Sequence, residues 1–184
     1  MKRIKDYFLC IKYPFLRPMC GKTITRYQNY LEWKLKAEKA LDCGNIRKYM
    51  WCVLIYYVKA WIFVLFSFPE FTFYDYIPEG WKKAFGSKLL NEIKKQCKKE
   101  GCLFEFRILD IKEKDGQLIV QCNYASKELY DILFKYESLS WNYCIKCGKE
   151  TEYISQGYVC PYCEKCKPQN AISVKEYMDN LNVD

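Results

Sequence analysis

The sequence predicts an α+β fold: an N-terminal αα-hairpin, then an amphipathic helix with an antiparallel β-hairpin and a further helix, and a small cysteine-bearing C-terminal end. Three observations predict it. Trp81, Phe85, Leu89, Ile93 and Cys97 recur every four residues, the spacing of one helix face. Asp115-Gly116 lies between two β-rich runs, a strong signal for a two-residue hairpin loop. Five cysteines crowd into residues 144–166 and form C-x-x-C pairs there.

Taken in order, residues 1–22 read as an irregular basic entry. Pro14 and Pro18 break any long element, and Tyr13-Pro14-Phe15-Leu16 reads as a packed extended segment. Residues 23–69 read as a helical hairpin. In its first helix, Thr23 to Asp42, Thr25 is the expected N-cap and Tyr27, Tyr30, Leu31, Trp33, Leu35, Ala37 and Leu41 supply a broad apolar face. Gly44 is placed to stop it, and Asn45 to start a second helix that ends before Pro69.

The run from Met50 to Phe68 has nearly membrane-spanning length and a single charge, Lys59. Arg47 and Lys48 on one flank, together with the density of Trp and Tyr, fit a membrane helix. Against that, Lys59 sits mid-run, where a charge costs about 2.5–3.5 kcal/mol on insertion scales, and the aromatics are spread along the run rather than gathered in belts. The expectation is therefore a core helix packed by its neighbours, with a membrane role disfavoured but left open.

Residues 70–140 read as the α+β core. An aromatic, acidic loop runs from Phe71 to Gly80. The Trp81–Glu100 helix follows, with Lys83, Lys94, Lys95 and Lys98 off its apolar stripe and Gly101 as C-cap. The hairpin is expected to rise through Phe104, Arg107 and Leu109 to Lys112 and return through Gln117 to Cys122. A last helix spans Ser126 to Leu139, with Ser126 as N-cap and Leu129, Ile132, Leu133 and Tyr136 facing inward. Residues 141–184 complete the chain as a metal-binding ribbon and tail.

In the ribbon, two residues between Cys144 and Cys147 let both sulfurs reach one ion, and Gly148 frees the chain to turn behind the second. The second half offers Cys160, Cys163 and Cys166 for two positions. Pairing Cys160 with Cys163 leaves twelve residues between the pairs, and pairing Cys163 with Cys166 leaves fifteen. Fifteen matches the C-x2-C-x15–20-C-x2-C zinc spacing, but both pairings are sterically reasonable and the residues alone leave the choice open. A four-thiolate zinc site has no open position for a catalytic water, so the expected role of the ion is structural. The short segment Thr151–Val159, with a turn at Gly157, is too small for its own core and would be ordered by the metal. A redox dithiol competes with this reading, but such pairs are single C-x-x-C units on a βαβ frame.

Composition narrows the function classes. Of 184 residues, 51% are hydrophobic and 18% aromatic, which argues against intrinsic disorder. The formal net charge of +8 suits an anionic partner or, equally, Lys-rich solvated faces. There are 12 Cys and no His. The first sixteen residues carry charges at Asp6 and Lys12 and lack an apolar export core, so a cytoplasmic, reducing compartment is expected, with most thiols packed as small hydrophobes.

Several pieces together resemble a family of small uncharacterised zinc-ribbon proteins from bacteriophages, prophages and gut bacteria. They are Pro78-Glu79-Gly80-Trp81-Lys82-Lys83-Ala84-Phe85-Gly86, Ile111-Lys112-Glu113-Lys114 with Gly116, Tyr136-Glu137-Ser138-Leu139-Ser140, and the cysteine pairs with Gly157-Tyr158. The entry Lys12-Tyr13-Pro14-Phe15-Leu16 is similar as well. These cover roughly two thirds of the chain, with the helical hairpin as an insertion. The family's second pair corresponds to Cys163 and Cys166, so the resemblance implies a Cys144, Cys147, Cys163, Cys166 site with Cys160 as the alternative ligand. The chain departs from the family at Asp115, where relatives tend to carry an aromatic. The resemblance implies a mobile-element accessory protein and no mechanism.

An enzyme is not expected. Without His the commonest general base near neutral pH is missing, and no phosphate loop or nucleophile elbow occurs. Two binding roles remain. In one, the protein occupies a host protein or protein–nucleic-acid complex and inhibits a host defence system in the manner of an anti-CRISPR. In the other, it binds nucleic acid directly, with Lys146, Lys149, Lys165 and Lys167 around the cysteine pairs and Tyr162 available to stack on a base.

Overall fold

Nine residues without proline or glycine follow Met1 up to Cys10, and they fall in helix α1 (Lys2–Lys12), correcting the irregular entry expected for this stretch. Asp6 and Cys10, one turn apart, are buried, while Lys5, Phe8 and Lys12 are exposed. Proline restricts the residue before it, and Tyr13 leaves the helical region with φ −133° and ψ 81°. Pro14–Leu16 is packed as expected, but as a buried 3₁₀ turn and not as an extended strand. The chain is described by a computed structural model over residues 2–18, 22–66, 69 and 71–181. The last two residues of the Met50–Phe68 run and the end of the tail lie outside these described residues.

The described chain falls into two compact units. Unit 1 comprises residues 1–72 and 103–107, and unit 2 comprises 73–102 and 108–184. These divisions differ from the segments 1–22, 23–69, 70–140 and 141–184. The entry and the hairpin share one unit, and the cysteine-bearing end shares the other with the α+β elements.

In unit 1, α2 (Lys22–Asp42) and α3 (Ile46–Phe66) pack along each other. Thr25 lies inside α2 and does not cap it. Gly44 ends α2 in the left-handed region, φ +68°, with Gly44 N–H donating to Leu41 O and Asn45 N–H to Ala40 O. Asn45 then caps α3 by accepting from Lys48 N–H at 3.0 Å. Cys52, Tyr56, Ala60, Phe63 and Val64 form the buried stripe of α3, and the last four make a core cluster with Tyr30 and Phe104.

Residues 103–107 join this core instead of leading into the hairpin. The Arg107 guanidinium is buried and donates to Phe106 O, Phe104 O and Tyr30 Oη at 2.6–2.7 Å, while lying over the Tyr27 and Phe63 rings. The Tyr30 hydroxyl donates to Phe104 O, and Tyr56 donates to Glu105 Oε1 at 2.7 Å. An arginine cannot shed its charge, so its donors fix where this stretch must lie.

The core expectation for α3 holds on one face only. The opposite face exposes Met50, Trp51, Leu54, Tyr57, Val58, Trp61, Ile62 and Leu65. Among the described residues, α3 is the one helix long and apolar enough to cross a membrane.

In unit 2, a 3₁₀ turn (Phe73–Tyr76) leads into α4 (Glu79–Trp81), a π-helical turn (Lys82–Gly86) and α5 (Ser87–Lys99). The apolar stripe read from the sequence is buried along its whole length, from Trp81 to Cys97. Gly101 ends the helix at φ +71°. Strands β1 (Ile108–Lys114) and β2 (Gln117–Cys122) pair antiparallel. Both loop residues have positive φ, 50° at Asp115 and 79° at Gly116, as the two-residue turn requires. Helix α6 (Lys127–Ser140) is capped by Ser126, which accepts from Leu129 N–H, and packs on α5 and β2. A second antiparallel sheet, in the order β4-β3-β5, consists of β3 (Tyr153–Ser155), β4 (Pro161–Tyr162) and β5 (Ala171–Ser173). Helix α7 (Val174–Leu181) follows where only a tail was expected. The protein is thus helical with two small antiparallel sheets.

Candidate metal centre

Each C-x-x-C pair is a tight turn. In the first, Gly148 N–H donates to Cys144 O at 2.9 Å, and φ +80° at Gly148 is the conformation glycine permits. In the second, Cys166 N–H and Lys167 N–H both donate to Cys163 O. Ile145 N–H donates to Pro161 O at 3.0 Å and ties the first turn to β4. The sulfurs of Cys144, Cys147, Cys163 and Cys166 consequently lie within 4.8 Å of one another, with Cys144 and Cys163 buried. Cys147 Sγ and Cys163 Sγ are 3.5 Å apart. Among the described residues no cysteine is joined in a disulfide.

Four thiols this close can hold a metal ion such as zinc. Burial opposes ionisation of Cys144, but the backbone N–H groups of Cys163, Cys147 and Lys146 point at its sulfur and bring the thiol down to about 7. Burial, followed by the neighbouring sulfurs of Cys147 and Cys163, pushes Cys166 up to about 12. At Cys147 the Lys149 N–H favours the thiolate, yet burial and the adjacent thiols outweigh it and the net direction is upward. One thiolate is favoured and further ones repel it, a conflict that a divalent cation relieves.

Cys160 is not part of the cluster. Its thiol is buried and points at Glu113 Oε1, 3.7 Å away. Burial, then the Glu113 charge, pushes it up to about 12. Glu113 also accepts from Gly116 N–H at 2.8 Å and from the Tyr158 hydroxyl. The hairpin thus meets the second cysteine turn through a small polar knot, which spacing alone did not reveal.

The helix start at Pro78–Trp81 is a second support. Gly80 N–H donates to Ile145 O at 2.9 Å, and the Trp81 indole donates to Tyr143 O at 2.9 Å. A Cβ on Gly80 would stand 2.1 Å from Cys144 O, so only glycine lets helix and cysteine turn approach this closely. In the sequence Gly80 carried no sign of this role beyond its place in the Pro-Glu-Gly-Trp run.

The lysines singled out for partner binding are all exposed. Lys146 lies over the Tyr162 ring at 5.5 Å, and Tyr162 is half-buried in β4. Lys167 pairs with Glu164 at 2.9 Å and lies 3.8 Å from the centre of the Tyr153 ring. Lys149 and Lys165 are exposed. Beside the ribbon is a cavity of about 700 Å³ whose lining includes Trp141, Tyr143, Glu150, Ile154, Tyr177 and Met178. Comparison with protein-family models, curated proteins and solved structures finds no match.

Proposed function

We propose that unit 2 is a zinc-ordered binding module, and that the chain acts by occupying a protein partner of a host cell, without catalysis. The observation that carries this is the convergence of Cys144, Cys147, Cys163 and Cys166. Four thiolates would complete a tetrahedral zinc shell and leave no position for substrate or an activated water. The ion would then act by fixing the surfaces around it. The phage or mobile-element setting rests on the sequence resemblance, and inhibition of a host defence system is the outcome that occupying a host protein would have in that setting.

A protein partner is favoured over nucleic acid by the charge of this unit. It contains sixteen Lys and Arg against sixteen Asp and Glu, which is a poor counterion surface for phosphates. The cavity beside the ribbon is mainly aromatic and aliphatic and carries Glu150, a lining suited to an apolar anchor from a protein.

Two measurements test the proposal. Metal analysis should find one zinc per chain, retained in Cys160→Ser and lost in Cys166→Ser. A pull-down from nuclease-treated host lysate should still recover one dominant protein. Metal-free wild-type protein would sink the zinc assignment. Loss of every partner after nuclease, with binding that weakens steeply as salt rises, would favour direct nucleic-acid binding.

A further inference from the structure

The net charge of the chain is not spread over it. Unit 1 holds fourteen Lys and Arg against six Asp and Glu, and unit 2 is balanced, so the whole +8 belongs to unit 1. Unit 1 also carries an exposed apolar face on α3. Met50, Trp51, Leu54, Trp61, Ile62 and Leu65 lie on one side of α3, each between 40% and 66% exposed. At helical spacing they make a stripe running most of the helix length. Lys59, the one charge in the middle of α3, is turned away from it. Its ammonium donates to Asn29 Oδ1 at 2.7 Å and lies over the Trp33 ring on α2.

Both ends of α3 suit an apolar medium beside a polar one. At the C-terminal end the last four carbonyls all accept from side chains. Arg17 donates to Phe63 O and Val64 O at 2.5 and 2.8 Å, Tyr7 to Leu65 O at 2.6 Å, and Arg26 to Phe66 O at 2.7 Å. Arg17 serves carbonyls closed off inside the unit, while the Tyr7 and Arg26 bonds lie at the surface, where they already satisfy carbonyls that would otherwise lose hydrogen bonds on leaving water. At the other end Arg47 and Lys48 line a hollow together with Met50, Trp51 and Leu54, placing two cations beside an apolar floor. That combination matches an anionic headgroup above its acyl chain.

We propose that unit 1 docks on an anionic lipid bilayer, with α3 lying in the interface and its exposed stripe among the acyl chains. A spanning placement is disfavoured by α2, which is packed along α3 and exposes Arg26, Glu32, Lys36 and Lys39. A second copy of the chain is a poorer occupant. It would bring two units of the same positive charge together, and α3 contains no acidic residue to offset them. The proposal is independent of the metal site.

The test is co-sedimentation of the full zinc-loaded chain with vesicles of phosphatidylcholine, alone or mixed with phosphatidylserine. Binding should require the anionic lipid and weaken with salt. The double variant Leu54→Glu, Trp61→Glu should lose binding at least about tenfold with an unchanged helical circular dichroism spectrum. Arg47→Gln and Lys48→Gln should each weaken it about fivefold. Tryptophan emission should shift to the blue on vesicle addition, and Trp51→Phe, Trp61→Phe should remove that shift while keeping an apolar face. Cys166→Ser should still bind vesicles, so failure here and failure of the zinc proposal are distinguishable. The proposal is overturned by absence of binding to either vesicle, by binding indifferent to these substitutions, by resistance to alkaline extraction, or by a solution dimer that Leu54→Glu, Trp61→Glu dissociates.

Discussion

The two units solve the problem of small size in opposite ways. Unit 1 has long helices and a ring-rich core, and its internal polar joints are arginines: Arg17 on the carbonyls of α3 and Arg107 on Tyr30 and Phe104. Unit 2 has short strands and turns that bury little by themselves, and its joints converge on four thiols. In the first, permanent charge is taken inside and bonded by carbonyls and a tyrosine hydroxyl, and the unit as a whole carries positive charge in excess. In the second, charge is balanced, and the conflict among neighbouring sulfurs is left for a metal to resolve. One chain thus separates a cationic, partly apolar surface from a scaffold whose joints could hold an ion.

The largest effect that sharpens this contrast is metal removal. Structural zinc contributes on the order of 10 kcal/mol in small ribbons, so chelation should unfold residues 141–181 while the α2–α3 pair keeps its amide protection. Hydrogen exchange followed by mass spectrometry checks both regions at once, and simultaneous loss in α2 and α3 would break the contrast. Next comes Arg107→Met. Removing the buried donors that serve the Tyr30 hydroxyl and the Phe104 and Phe106 carbonyls should cost about 1–3 kcal/mol for each acceptor left short, read as early melting of unit 1 with zinc content unchanged. Smallest is Gly80→Ala. The added methyl meets the Cys144 carbonyl, and a cost of about 1–3 kcal/mol is expected in unit 2, with faster zinc release to a chelator and no change in unit 1.

Legibility in the sequence followed how local each signal was. The stripe from Trp81 to Cys97, the Asp115-Gly116 turn, the Ser126 cap and the stops at Gly44 and Gly101 are set by a few neighbouring residues, and the structure has them as read. Helix α7 has a local signal too: Ser173 accepts from Glu176 N–H, a Ser-x-x-Glu start that is weak by itself because the helix behind it is short. Pro14 marks a break in the sequence, but it ends helix α1 without preventing one before it. The π turn at Lys82–Gly86 left no trace in the residue pattern, because the stripe continues through it.

The sequence by itself determined the candidate ligands to within one cysteine, since two thiols two residues apart can share an ion wherever the chain puts them. It also determined the total charge and the apolar content of α3. Only the tertiary structure decided that Cys160 faces Glu113 while Cys166 joins the cluster, because strand β4 and the turn after it set where each sulfur points. Only the tertiary structure decided that residues 103–107 belong with the first helices, through the bonds that buried Arg107 makes across the chain. And it alone decided which side of α3 is covered. Helical periodicity cannot tell a face that meets a neighbour from a face that waits for one, since both are apolar for the same physical reason.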